Sequence, residues 1–169
     1  MRYFALLATI YAATLGTSYA LVDARYRTTV TVAASAYDER TSGNGCSPDG
    51  CIPENTRDRS TVDNSRWSCK GDLLDSSDED EGCWIEYYFE EPQDIVKIKV
   101  KFYKGTENSR TLDVYDNGSY HSEIESSGET DKYQTFYLNT DETDKLRLKL
   151  DDPNSETWLS IKEVKILVK

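Results

Sequence analysis

Apolar and polar residues alternate along most of this chain, and a period of two predicts strands rather than helices. The clearest run is 94–104, DIVKIKVKFYK. Val96, Ile98, Val100 and Phe102 share one parity, and Lys97, Lys99, Lys101 and Tyr103 share the other. That is a strand in a sheet with one buried face and one wet face, the lysines being the solvated row. Further strands are expected at 27–34 (RTTVTVAA), at 84–91 (WIEYYFEE, ended by Pro92), at 110–116 and 119–124, at 133–138, at 145–150 and from Trp158 to Val168. Asn117-Gly118 between two strand patterns is a hairpin signal. In the last strand Val164, Ile166 and Val168 have one parity and Leu159 and Ile161 the other, so a bulge is expected near Lys162 and Glu163. Seven or eight strands, short turns and no helical periodicity specify an all-β sandwich or barrel, and a two-sheet jelly-roll β-sandwich suits this length.

Two regions break the alternation. Residues 1–20 carry Arg2, an apolar run from Phe4 to Leu15 and a Ser18-Tyr19-Ala20 ending, the signature of a secretory signal peptide. The run is too short to span a membrane, which takes about 20 residues. Residues 21–169 then form one domain. Residues 35–83 are rich in Gly, Pro, Asn, Asp and Ser and hold all four cysteines, Cys46, Cys51, Cys69 and Cys83. A loop region this long needs a role or a staple. In a secreted chain an even count reads as two disulfides. Three pairings are possible, and Cys46–Cys51 with Cys69–Cys83 is favoured because each closes a separate loop. Zinc lacks its C-x-x-C spacing, and the only histidine, His121, is distant. The acidic run at 75–81 reads as a solvated loop tip.

Charge narrows the partners. The chain has 20 Lys+Arg and 31 Asp+Glu, a net charge of −11. Such a field disfavours nucleic acid and anionic membranes, so an anionic ligand would need a local basic site. Asn117-Gly118-Ser119 is a glycosylation sequon as well as a turn.

Several short motifs occur in a telling order: NTRD at 55–58, RWS at 66–68, WIEYYF at 84–89, IVKIKVKFYKG at 95–105, RTLDV at 110–114 and WLSIKEVKI at 158–166. Together they resemble the coagulation-factor type C, or discoidin-like, domain and the related galactose-binding-like carbohydrate-binding modules, above all those attached to alginate and other polysaccharide lyases. The resemblance covers roughly 27–168. It departs at Arg59-Ser60 after the N-T-x-D aspartate, at about two extra residues before Trp67, and at Phe89-Glu90-Glu91.

The resemblance implies a galactose-binding-like jelly roll that binds a polysaccharide through loops at one end. Candidate ligand-binding residues are Arg66, Tyr103, Lys104, Arg110 and Trp158. Aromatic faces suit the C–H surfaces of a sugar ring, and an arginine fork suits a uronate carboxylate. Arg110 could instead pair with Asp113 or a loop carboxylate. Trp67 and Trp84 are expected in the core, with Trp158 open between core and platform. The resemblance also implies a structural Ca²⁺ held by Asp58, Ser65 and Glu163, oxygen ligands suited to a hard cation. Arg59 could serve there as a built-in cation.

The function expected is a secreted, extracellular module recognising a uronate- or galactose-containing polysaccharide. A protein-adhesion domain is the alternative; membrane lipid is disfavoured by the acidity and the lack of apolar loop tips. A polysaccharide lyase using Tyr103, His121, Lys104 and Arg110 is a weaker third reading, and no catalytic motif stands out.

Overall fold

The computed structural model describes residues 20–40, 45–46, 48–70, 82–107, 109–151 and 157–169. The segment read as a signal peptide (but for Ala20) and the acidic run at 75–81 lie outside them. Among the described residues ten strands form two antiparallel sheets. The first sheet is organised on β10 (Trp158–Val168), which pairs along its length with β5 (Ile95–Phe102); β8 (Gln134–Tyr137) continues beyond β5. Against β10 also lie β1 (Val22–Asp23), at its C-terminal end, and β3 (Trp67–Lys70), at its start. The second sheet has the order β2 (Val30–Ala34), β4 (Trp84–Gln93), β9 (Thr143–Leu150), β6 (Thr111–Asp116), β7 (Ser119–Glu125). This is the expected jelly-roll sandwich.

The alternation read from the sequence makes the core. Ile98, Val100 and Phe102 of β5 and Ile161, Val164, Ile166 and Val168 of β10 join one buried cluster with Ile85, Tyr87 and Phe89 of β4 and Leu146, Leu148 and Leu150 of β9. Lys97, Lys99 and Lys101 have the opposite parity and are half-buried on the wet face. The Asn117-Gly118 turn joins β6 to β7, with φ of 50° and 82°, the left-handed region that Asn and Gly tolerate best. The Asn117 side chain is itself engaged there. Its Nδ2 donates to the Glu142 carbonyl at 3.2 Å, and its Oδ1 accepts from the Asp144 and Lys145 amides.

Both favoured disulfides are present, Cys46–Cys51 and Cys69–Cys83, with Cα separations of 4.8 and 5.8 Å. The region read as loop is more ordered than its composition suggested. It contains β3 and a short 3-10 turn at Pro53–Arg57. β3 escaped notice because Trp67, Ser68 and Cys69 are all buried, which erases the alternation. Trp67 is fully buried and donates from Nε1 to the Ala36 carbonyl at 2.9 Å. Trp84 does not follow its expected place. It is half-buried on the outer side of β4, with the Arg147 guanidinium 4.1 Å from its ring centre. Pro92 does not end β4, which runs to Gln93. The ladder to β9 is instead interrupted between Tyr88 and Gln93, which accommodates a residue without an N–H.

The expected bulge lies between Ile161 and Glu163. It leaves Glu163 opposite Lys101, on the outer side of the sheet. There two short 3-10 turns, Ala24–Tyr26 and Pro53–Arg57, pack over β10 and bury the glutamate completely.

Candidate functional site

The end of β5, the start of β10 and β3 meet at one edge of the sandwich. The chain turns sharply after β5, and Lys104 adopts a φ of 52°. These segments enclose an open groove of about 530 Å³. Each of the five residues proposed as ligand contacts lines it: Arg66, Tyr103, Lys104, Arg110 and Trp158. Arg40, Asp38, Glu107, Ser68 and Ser160 join them. Sequence reading missed these five. Asp38 and Arg40 sit in a featureless loop, and the serines gain meaning only from β3–β10 pairing, where Ser68 faces Ser160 and their hydroxyls lie 2.8 Å apart.

Four basic side chains face two carboxylates in this groove, so the site is locally cationic on a strongly acidic chain. The cations are not equivalent. Arg40 is clamped by Asp38, with Nε at 2.8 and 2.9 Å from its two carboxylate oxygens and Nη2 at 2.6 Å. That clamp outweighs the opposing effect of burial and holds the Asp38 carboxyl below the usual carboxylate range. Lys104 meets Glu107 at 3.1 Å in an exposed pair. Arg66 is nearly buried, at 4 % exposure. It donates from Nε to Ser68 Oγ at 3.1 Å and from Nη1 to the Asp63 carbonyl, and its guanidinium stacks 4.1 Å from the Tyr103 ring centre. Arg66 is thus a wall that holds the tyrosine face, rather than a projecting arm.

Arg110 differs from all three. Its Nε donates to the Trp158 carbonyl and its Nη1 to the Ser109 carbonyl, each at 2.7 Å. It makes no ion pair with any described residue; Asp113, the alternative partner, meets Tyr115 at 3.5 Å instead. Burial alone lowers its affinity for the proton. Backbone carbonyls therefore orient a partly desolvated guanidinium whose charge no described residue matches. Beside it Trp158 is half-buried, with the Arg40 guanidinium 5.6 Å and the Lys70 ammonium 6.0 Å from its ring centre. His121 does not line the groove, and its Nε2 lies 2.9 Å from the Leu138 carbonyl. The residues of the lyase reading are therefore not brought together.

The residues proposed for calcium lie away from the groove, around Glu163. Asp58 accepts from the Ser60 amide at 2.6 Å and from the Ser65 hydroxyl, so two of the proposed ligands are spent on each other. Glu163 Oε2 accepts from the Arg59 amide at 3.2 Å. The Arg59 side chain turns away, 5.1 Å over the Tyr26 ring. A different arginine approaches the carboxylate: Arg25 Nη2 lies 3.0 Å from Glu163 Oε1, off the line of a directed hydrogen bond. Arg25 also donates to the Arg57 carbonyl at 3.2 Å and to Asp23 at 2.9 Å. Arg57 completes the cluster, donating to Asp23 and to the Val164 carbonyl at 3.2 and 3.0 Å. Burial pushes the Glu163 carboxyl up to about 6, against the pull of Arg25, the Arg59 amide and Arg57. As placed, these residues do not fit a calcium ion. A dication would share its oxygens with a guanidinium, and at an effective dielectric of about 20 a dication 4 Å from a unit positive charge is repelled by roughly 8 kcal/mol. Among the described residues no group of three or more His, Cys, Asp or Glu side chains is arranged to hold a metal.

No protein-family profile matches the chain, and no curated protein matches it either. Solved structures do. The chain is similar to the CBM32 module of AlyQ solved in complex with 4,5-unsaturated mannuronic acid, at 25 % identity and a TM-score of 0.59, over 80 % of this chain and 92 % of that one. It is similar to a pectin-binding carbohydrate-binding module at 18 % identity and a TM-score of 0.62, over 82 % and 91 %. It is also similar to an F5/8 type C domain from Bacteroides fragilis at 12 % identity and a TM-score of 0.60, over 88 % and 95 %. The fold is that of the discoidin-like and family 32 carbohydrate-binding modules, as the motif order predicted.

Proposed function

We propose that this domain is a carbohydrate-binding module whose ligand is an acidic, uronate-containing polysaccharide, held in the groove between β3, β5 and β10. The observation that carries the reading is Arg110. An oriented, half-desolvated guanidinium with no carboxylate partner among the described residues, beside half-buried aromatic rings, is the equipment for one carboxylate on a sugar ring. Tyr103, stiffened from behind by Arg66, and Trp158 supply faces for the ring's C–H surfaces. Similar folds solved with an unsaturated mannuronic acid, or described as pectin-binding, support the same class. The two disulfides suit an oxidising compartment, which supports a secreted, extracellular setting.

Titration calorimetry with oligoalginate, oligogalacturonate and neutral galactan oligosaccharides tests this. The expected result is binding to a uronate series that weakens about tenfold or more in Arg110→Ala, with no response to the neutral galactan. Equal binding of galactan and uronate, or an unaffected Arg110→Ala variant, would remove the uronate reading. Silence towards every glycan would leave protein adhesion as the leading function.

A further inference from the structure

We propose that Arg25 is the resident cation of the site around Glu163, and that the domain is therefore complete without a divalent metal. Three oxygens, one carbonyl and two carboxylate, converge on this one guanidinium. Nη1 takes the Arg57 carbonyl at 3.2 Å, and Nη2 takes Asp23 Oδ2 at 2.9 Å and Glu163 Oε1 at 3.0 Å. A loop carbonyl and two carboxylates are a ligand set that a hard cation would also use. Here a side chain fills it, from a 3-10 turn whose position is fixed by its own Asp23 cap: Asp23 accepts the Arg25 amide at 3.2 Å. The charges balance locally, since Asp23 and Glu163 face Arg25 and Arg57. All four side chains are at most 13 % exposed, so they are matched to one another rather than to solvent.

The resident cation also fixes architecture. Arg25 comes from the turn after β1, Arg57 from the turn before β3 and Glu163 from the bulge of β10. The guanidinium therefore links three segments far apart in sequence, which is what a structural ion does. Arg57 extends the link by bonding the Val164 carbonyl at the bulge itself. Removing Arg25 would leave Glu163 and the Arg57 carbonyl directed at an empty position, with a net negative charge. That is the condition under which a divalent cation is drawn in.

The test uses the full chain with its disulfides formed, and reads thermal unfolding in EDTA, in CaCl₂ and in MgCl₂, alongside calorimetric titration with CaCl₂. The wild type is expected to melt at the same temperature in all three buffers and to give no calcium binding heat. Arg25→Ala is expected to melt several degrees lower in EDTA and to recover part of the loss in CaCl₂. Arg25→Lys retains a cation and keeps the assay informative if the alanine variant does not fold; it is expected to remain indifferent to calcium. Calcium binding by the wild type that disappears in Glu163→Gln would overturn the proposal, as would an Arg25→Ala variant that melts in EDTA at the wild-type temperature and does not respond to calcium. None of these readings involves a glycan, so they stand or fall apart from the groove.

Discussion

Two clusters of arginines at different places in this domain use the same side chain for opposite ends. Around Glu163, Arg25 and Arg57 are ringed by Asp23, Glu163 and backbone carbonyls, and every charge meets its opposite. In the groove Arg110 is also partly desolvated and also anchored by two carbonyls, yet no described carboxylate meets it. A buried and matched cation holds segments together; an oriented and unmatched one is available to a ligand. The comparison predicts a clean exchange of phenotypes. Arg57→Ala would leave Asp23 short of a partner in the interior and should cost about 3–5 kcal/mol of stability, the usual penalty for breaking a buried pair. Chemical denaturation would report that loss, while any fraction that remains folded should bind glycan normally.

The converse effect is next in size. Arg110→Lys keeps the charge and loses the planar fork, and should weaken uronate binding about fivefold to tenfold. Because its bonds run to one exposed and one part-buried carbonyl and break no buried ion pair among the described residues, the same change should move stability by no more than about 1–2 kcal/mol. A variant that loses stability and affinity together would show that the groove and the structural cluster are one coupled unit, and the contrast would fail.

A pH experiment sharpens the contrast. Burial raises the Glu163 carboxyl from an ordinary 4.5 to about 6. The folded state then holds a proton that the unfolded chain has released between those values. The contribution of Glu163 is fully present below about pH 4.5 and is lost as pH rises through about 6. The expected span is about 2 kcal/mol for a shift of this size. Glu163→Gln should remove that slope, so the difference in unfolding free energy between the two proteins should vary between pH 4.5 and 6 and be flat above. The Asp38 clamp on Arg40 has the opposite sign. Its carboxyl is depressed, so its contribution is present above the ordinary aspartate value and fades at lower pH.

The sequence made one of these two clusters visible and hid the other. The groove was legible because its residues stand in short contiguous motifs, FYKG, R-T-L-D-V and W-L-S-I, each ending or beginning a strand whose alternation was plain. Strand ends place such residues at one edge almost automatically. Its fine structure was not legible: Asp38, Arg40, Ser68 and Ser160 reach the groove only through β3, whose uniformly buried residues show no period. The structural cluster drew its partners from three distant segments, with no motif to bind them together. The sequence suggested Arg59 as an internal cation because it follows Asp58. The structure uses the backbone of Arg59 and the side chain of Arg25, a choice that depends on how a 3-10 turn lies over a bulge.

The smallest effect concerns the one groove cation that is matched weakly. Lys104 and Glu107 meet at 3.1 Å, but both are more than half exposed and three residues apart on one turn. Such a pair is screened by water and salt and holds its partners loosely. Glu107 therefore works against an anionic ligand: it neutralises a cation that could reach a second carboxylate along the chain. Glu107→Gln preserves the size of the side chain and removes the competing charge, and should raise affinity for uronate oligomers about twofold to fivefold. The gain should shrink as salt is raised from 0.05 to about 0.5 M, because only exposed charge is involved. It should also need a ligand of at least two uronate units, since Arg110 engages the first. Equal gains for a single uronate and for the oligomer would mean that Lys104 and Arg110 share one carboxylate. An affinity unchanged at low salt would show that Lys104 stands outside the path of the glycan, and that Arg110 alone carries the charge recognition.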